Sequence, residues 1–191
     1  MDMHPSFIEE FHQIYSEISS KKAIFRTIGT LKELRENAAY WVEGVITDVE
    51  IDQEFCYLAC RICGKRIEEV DAKRWCLHCQ EFTFTKIYRY NIEIVVADET
   101  DSVKMILWNK ASQKLLGEPA EDVLSVYGDT ARVMPDDISS KILGKGGLFE
   151  VIVSSQQQHV DSLNVSRLTI DDEIKDVYTM RNYPAPCEST T

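Results

Sequence analysis

The chain opens on a helical rhythm and then changes to an alternating one. Phe7, Ile8, Phe11, Ile14, Tyr15 and Ile18 recur at spacings of three and four, which predicts an amphipathic helix over residues 5–19. Pro5 near its start and the Ser19-Ser20-Lys21-Lys22 run at its end punctuate it. Its apolar face either covers the domain's own core or docks a partner. A short helical turn is expected near Leu31 to Arg35. Tyr40 to Val49 then alternates in the manner of a half-buried strand, and Gly44 inside it predicts a bulge or bend. Arg89 to Ala97 reads as the next strand, with Ile92, Ile94 and Val96 on its inward face. Asp98-Glu99-Thr100-Asp101 forms a turn whose acidic side chains can bond their own backbone. Ser102 to Trp108 returns as a third strand.

From Leu107 to Tyr127 the period becomes helical again, with Leu115, Leu116, Val123, Leu124 and Tyr127 apolar. Gly117-Glu118-Pro119 splits that stretch into two short helices. Pro135-Asp136-Asp137 opens another short helix and Gly144 closes it. Strands follow at Leu148 to Ser154 and Val165 to Ile170, joined by a turn region around Gln156 to Asn164. The last residues, Tyr183 to Thr191, contain two prolines and polar residues and read as a flexible tail. The order is therefore strand, insert, strand, strand, helices, strand, strand. That order predicts a mainly β domain, a five-stranded OB-fold Greek-key barrel with flanking short helices. The expected divisions are an N-terminal helix in 1–27, the barrel in 28–171 with an insert at 56–84, and a short C-terminal segment with a tail in 172–191.

The insert carries the most specific chemistry. Cys60-Arg61-Ile62-Cys63 and Cys76-Leu77-His78-Cys79 are two pairs, each separated by two residues. Such turns aim both sulfurs at one point, and two of them can wrap one tetrahedral ion, predicting a zinc ribbon with Cys60, Cys63, Cys76 and Cys79 as ligands of one structural Zn²⁺. The competing reading is two reduced pairs or two disulfides. Gly64, directly after the first pair, suits a knuckle that needs a positive φ. Cys56 reads as a small hydrophobe that could contend for the metal, His78 as a solvated loop residue.

Six cysteines in 191 residues are too few for a disulfide scaffold. No basic stretch followed by an apolar one opens the chain, so no secretory signal is expected, and no apolar run approaches the roughly 20 residues of a membrane span. The net charge of −11 argues against a uniformly phosphate-seeking surface. Its distribution changes the picture. Residues 60–110 hold nine Lys/Arg against eight Asp/Glu, a net of +1, whereas the remainder carries −12. The acid lies outside the cysteine-bearing centre.

Taken together, Tyr57 to Arg66, Trp75 to Cys79, Tyr88-Arg89, Val96-Ala97-Asp98 and Leu115-Leu116-Gly117 resemble the C-terminal OB-fold of the replication protein A large subunit, a eukaryotic single-strand DNA-binding family. The resemblance covers residues 28–171 and places a structural zinc ribbon between the first two barrel strands. It implies binding of single-stranded DNA without catalysis, nuclear location, and work in replication, repair, recombination or telomere maintenance. The chain departs from the family in having only a helix where further OB-folds precede this one. It also has only residues 172–191 where the family has a longer helix joining a three-subunit bundle. It looks like a standalone paralogue or a fragment.

OB-folds bind single strands through a basic groove and aromatic stacking platforms. Trp108 matches an aromatic family position and is the first candidate. Tyr88, Arg89, Lys104, Lys110, Lys65 and Arg66 complete the candidate nucleic-acid set. Because strand side chains alternate, Tyr88 and Tyr90 sharing the groove face would turn Arg89 away. Each aromatic can equally be core, and each lysine ordinary solvated surface. A four-cysteine zinc is coordinatively closed and Gly144-Lys145-Gly146-Gly147 lacks P-loop spacing, so no enzyme is expected. The rival to a DNA binder is a scaffold subunit that kept the barrel, lost the ligand and meets protein subunits through its N-terminal helix. RNA is a further reading, since stacking platforms accept either nucleic acid.

Overall fold

Alternation along the longest strands decides which residues are inside. The computed structural model describes residues 5–70, 73–83, 85–128, 133–154 and 162–182. Strand β1 is Ala38–Val49, β6 is Tyr88–Ala97, β7 is Ser102–Trp108, β8 is Gly146–Val153 and β9 is Leu163–Thr169. Tyr40, Val42 and Ile46 of β1, Tyr90, Ile92, Ile94 and Val96 of β6, and Val103, Met105 and Leu107 of β7 point inward and are buried. β1 pairs antiparallel with β6 and with β8, β6 with β7, and β8 with β9, while β7 and β9 run parallel. These five strands close on themselves, an OB-type barrel that leaves no free edge among them. A further short strand, β2 (Cys56–Leu58), adds to the outer edge of β6.

Helices cap and flank the barrel. α3 (Asn109–Leu116), α4 (Ala120–Tyr127) and α5 (Asp136–Ile142) lie between β7 and β8, and bury Leu115, Val123, Leu124, Ile138 and Ile142 against the barrel core. Gly117 ends α3 at φ 81 and Gly144 follows α5 at φ 79, the left-handed geometry expected of helix stops. α2 (Ile28–Glu33) is capped by the side chain of Thr27, and the Ile28 N–H donates to Asp98 Oδ2 at 2.7 Å. Asp98 Oδ1 also accepts from the backbone of Thr100 and Asp101.

A second apolar layer covers the outer side of β1 and β8. α1 (Pro5–Ser19) and α6 (Asp172–Asn182) pack there, enclosing Ile14, Ile18, Trp41, Leu148, Ile174 and Tyr178. The apolar stripe of α1 therefore covers this chain's own sheet, with Ile8 left exposed. Arg167 clamps the layer. Its guanidinium donates to Glu17 Oε2 of α1 at 2.7 Å and to Glu150 of β8, and lies 5.3 Å from the centre of the Trp41 ring.

One expectation needs correction and one segment gains an element. The short C-terminal segment after the last barrel strand forms α6 over Asp172–Asn182, an element no pattern assigned there; residues 183–191, with Cys187 and the expected tail, lie outside the described residues. The helix is missed because it carries only a sparse stripe of Ile174, Val177 and Tyr178, which is stable through contact with α1 rather than by propensity. Asp171 was the available signal, its carboxylate accepting from the N–H groups of Glu173 and Ile174 as a helix cap does. The corrected expectation concerns Gly44. The irregularity in β1 falls between Ile46 and Asp48, while Gly44 serves a close approach. A Cβ there would sit 2.6 Å from Val96 Cγ1 and 3.0 Å from the Ala97 carbonyl oxygen.

Gly44→Ala is thus expected to destabilise the barrel by about 1–3 kcal/mol through overpacking, read as a lower urea midpoint at unchanged m-value. The Arg167 hydrogen bond lowers the pKa of Glu17 below its ordinary 4.5. Its stabilisation is complete above that value and is lost as pH falls through the lowered one. Glu17→Gln should flatten the acid limb of a stability-versus-pH curve; an unchanged limb would show that the clamp contributes nothing.

Candidate nucleic-acid interface and metal centre

The insert between β2 and β6 builds a four-cysteine cluster that could hold a metal ion. β3 (Glu68–Val70), β4 (Lys73–Cys76) and β5 (Glu81–Phe82) form a separate three-stranded sheet, with Trp75 edge-on to Phe82 at 4.7 Å. Its two cysteine turns have the same shape. Gly64 N–H donates to the Cys60 carbonyl and Gln80 N–H to the Cys76 carbonyl, both at 2.8 Å, with φ of 71 at Gly64 and 57 at Gln80. Gln80 accepts in the second turn the left-handed backbone that glycine takes more readily in the first.

The four sulfurs of Cys60, Cys63, Cys76 and Cys79 lie within 4.8 Å of one another. Cys60 Sγ is 3.8 Å from Cys79 Sγ, and Cys63 Sγ is 3.6 Å from Cys76 Sγ. A tetrahedron with metal–sulfur bonds of about 2.3 Å has sulfur–sulfur edges of about 3.8 Å, so these residues fit a four-thiolate ion. Backbone N–H groups of Ile62 and Cys79 point at Cys60 Sγ and Cys76 Sγ, as donors to thiolates would. Hydrogen bonds from the backbone of Cys63 and Ile62 bring the Cys60 thiol down to about 7, whereas hydrogen bonding to Cys63 and burial push Cys79 up to about 12. Four sulfurs this close cannot all ionise without a cation between them. Cys56 lies in β2, half-buried against the barrel core, and burial pushes its thiol up to about 12. It is not one of the four.

Beside the metal centre the outer face of β2, β6 and β7 forms an open groove of about 480 Å³. Register explains who faces it. Tyr57 pairs across to Arg89, and Asn91 to Trp108. Trp108 is 42% exposed, and its indole Nε1–H donates to Asn164 Oδ1 of β9 at 2.9 Å, which holds the ring. Tyr57 meets Trp108 edge to face, centroids 6.4 Å apart at 89°. Lys65, Arg66, Gly64 and Cys63 form the wall on the knuckle side. The Arg66 guanidinium lies 5.1 Å from the centre of the Tyr57 ring and donates to Glu54 Oε2 at 3.1 Å. Lys65 Nζ is 3.1 Å from Nδ1 of the exposed His78.

The fold thus brings together Trp108, Lys65 and Arg66 from the expected nucleic-acid set. Arg89 also belongs to this outer face, its guanidinium crossing the space where a Gly64 side chain would be. The pleat therefore runs opposite to the arrangement that would put Tyr88 and Tyr90 in the groove. Tyr90 is fully buried, with its phenol pushed up by burial and its hydroxyl donating to the Glu118 carbonyl at 3.2 Å. Tyr88 packs against the same core. Lys104 and Lys110 do not join the groove. Lys104 Nζ sits 2.8 Å from Glu93 Oε1, which raises its pKa, and 3.9 Å from Glu50 Oε2. Lys110 Nζ is 2.8 Å from Glu10 Oε2 of α1. Tyr57 and Asn91, which line the groove, and Asn164, which holds the Trp108 ring, are residues that sequence reasoning missed. Tyr57 had a signal in its place just before the first cysteine turn, whereas Asn91 and Asn164 had none, since only strand pairing puts them next to Trp108.

Among the described residues no helix is long and apolar enough to cross a membrane. A family model described as the replication factor-A C terminal domain matches residues 40–176. The chain is 27% identical over 129 residues to a replication protein A 70 kDa DNA-binding subunit of Arabidopsis thaliana, covering 65% of this chain and 21% of that protein. It is 29% identical over 79 residues to a 70 kDa DNA-binding subunit of replication protein A from Oryza sativa subsp. japonica, covering 41% and 12%. The chain spans about a fifth or less of these curated relatives. Among solved structures it is similar to a chain of a replication protein A heterotrimer bound to ssDNA, with a TM-score of 0.63 at 19% identity over 81% of this chain and 38% of that one. It is also similar to a chain of yeast RPA bound to ssDNA, with a TM-score of 0.59 at 21% identity over 83% and 98%.

Proposed function

The chain belongs to the replication factor-A C-terminal domain family, and from that membership we propose that it is a non-enzymatic module that binds single-stranded DNA. The observation that carries the reading is the edge-to-face pair of Tyr57 and Trp108 in a groove walled by Lys65 and Arg66. Aromatic faces accept any base by stacking, and nearby cations attract the backbone. Relatives of the family are named as DNA-binding subunits, and the similar folds were obtained with ssDNA. We extend that role to this chain, together with nuclear location and a part in replication, repair, recombination or telomere maintenance.

The metal in this reading is one Zn²⁺ held by Cys60, Cys63, Cys76 and Cys79. Four protein ligands leave it no open position, so its contribution is to folding. It would anchor both cysteine turns and with them the Lys65-Arg66 wall. The scaffold alternative draws on a different observation, the pairing of Lys104 with Glu93 and of Lys110 with Glu10, which removes two cations from phosphate service.

Titration of a fluorescently labelled oligodeoxythymidine at low salt should give binding that Trp108→Ala and Tyr57→Ala each weaken by about 1–3 kcal/mol. Absence of binding would favour the scaffold, and full binding by both variants would place the contact away from Tyr57 and Trp108. Native mass spectrometry should find one zinc per chain. Cys60→Ser and Cys76→Ser should lose the ion and lower the thermal midpoint, and Cys56→Ser should do neither. Retention of zinc in Cys76→Ser would overturn the ligand set.

A further inference from the structure

The groove's cations are already engaged by groups of the chain itself. Arg66 reaches Glu54 and Lys65 reaches His78, while Lys104, outside the groove, reaches Glu93 and Glu50. Arg66 is the informative member, because it is both a groove wall residue and a cover on a ring. Its guanidinium is held between the Glu54 carboxylate at 3.1 Å and the face of Tyr57 at 5.1 Å. A nucleotide approaching Tyr57 would look for the same two things there, an aromatic face and a cation for its phosphate. Both are occupied by residues of this protein.

We propose that Glu54 is a positioning residue that pins Arg66 on Tyr57 as an internal competitor of the nucleic-acid phosphate, setting a low affinity and a shallow salt dependence. The inference rests on the single-strand reading of the groove and names how that site is tuned. The pair is exposed, 52% at Arg66 and 46% at Glu54. Ion pairs this exposed are weak, so the contact is a tuning device and not a lock. While Glu54 neutralises Arg66, this side chain adds little to the number of phosphates the protein neutralises. Removing the carboxylate charge frees the guanidinium for a phosphate without disturbing Tyr57 or Trp108. Stacking, chiefly on the exposed Trp108 while Arg66 covers one face of Tyr57, then supplies most of the wild-type affinity.

The test compares the wild-type chain, Glu54→Gln, Arg66→Ala and the double variant in binding a labelled oligodeoxythymidine over a salt series, with thermal midpoints confirming that each is folded. Glu54→Gln is expected to tighten binding about two- to five-fold, the range of an exposed ion pair. It should also steepen the log–log salt slope by about 0.7, the contribution of one phosphate on a single strand. In the Arg66→Ala background Glu54→Gln should change nothing. Equal or weaker binding by Glu54→Gln, or the same gain without Arg66, overturns the inference while the single-strand reading stands. Binding by none of the four proteins overturns both.

Discussion

The structure depends on the pairing of β6 with three strands at once. Its first residues pair with β2, its last with β1, and most of its length with β7. Tyr90, Ile92, Ile94 and Val96 consequently fill the barrel, while Arg89, Asn91 and Glu93 are turned to the outer face. A slip of one residue would exchange these two sets and put charge into the core. The same register that builds the core therefore aligns Tyr57 with Arg89 and Asn91 with Trp108.

From β2 the constraint passes into the metal insert. The Ala59 N–H donates to the Ile87 carbonyl at 2.7 Å and the Ile67 N–H to the Leu58 carbonyl at 3.0 Å, tying the base of the first cysteine turn to the barrel. Tyr57 closes the link by donating its hydroxyl to the Gly64 carbonyl at 3.3 Å. The four sulfurs and the groove are thus one construction. Whatever holds the cysteine turns also holds the wall of Lys65 and Arg66.

Electrostatics follow from the same packing. The acid excess is not merely far from the groove, as the distribution of charge along the chain suggested. Glu54 reaches back to Arg66 on the groove wall, and Glu10 on α1 reaches Lys110. Across the barrel, Arg167 is shared by Glu17 and Glu150 over Trp41 and fastens α1 to the sheet. Charges are paired and Arg66 covers one face of Tyr57, so the half-exposed Trp108 is the ring left open on this face.

By itself the sequence determined the barrel strands, the order of elements and the cysteine cluster, because each rests on local periodicity or short spacing. Strand alternation named Ile92, Ile94 and Val96 as core, glycine and proline marked the helix breaks, and two pairs at a spacing of two residues marked the four-cysteine cluster. Only the tertiary structure decided which way Arg89 and Tyr90 point, that Gly44 serves a close approach to Val96, and that residues 172–182 become a helix against α1. Tertiary structure also made Tyr57, Asn91 and Asn164 neighbours of Trp108 and gave Lys104 and Lys110 carboxylate partners. The physical reason is common to all of these. Each depends on contacts between residues far apart in the chain, and no local pattern encodes which distant side chain will lie alongside.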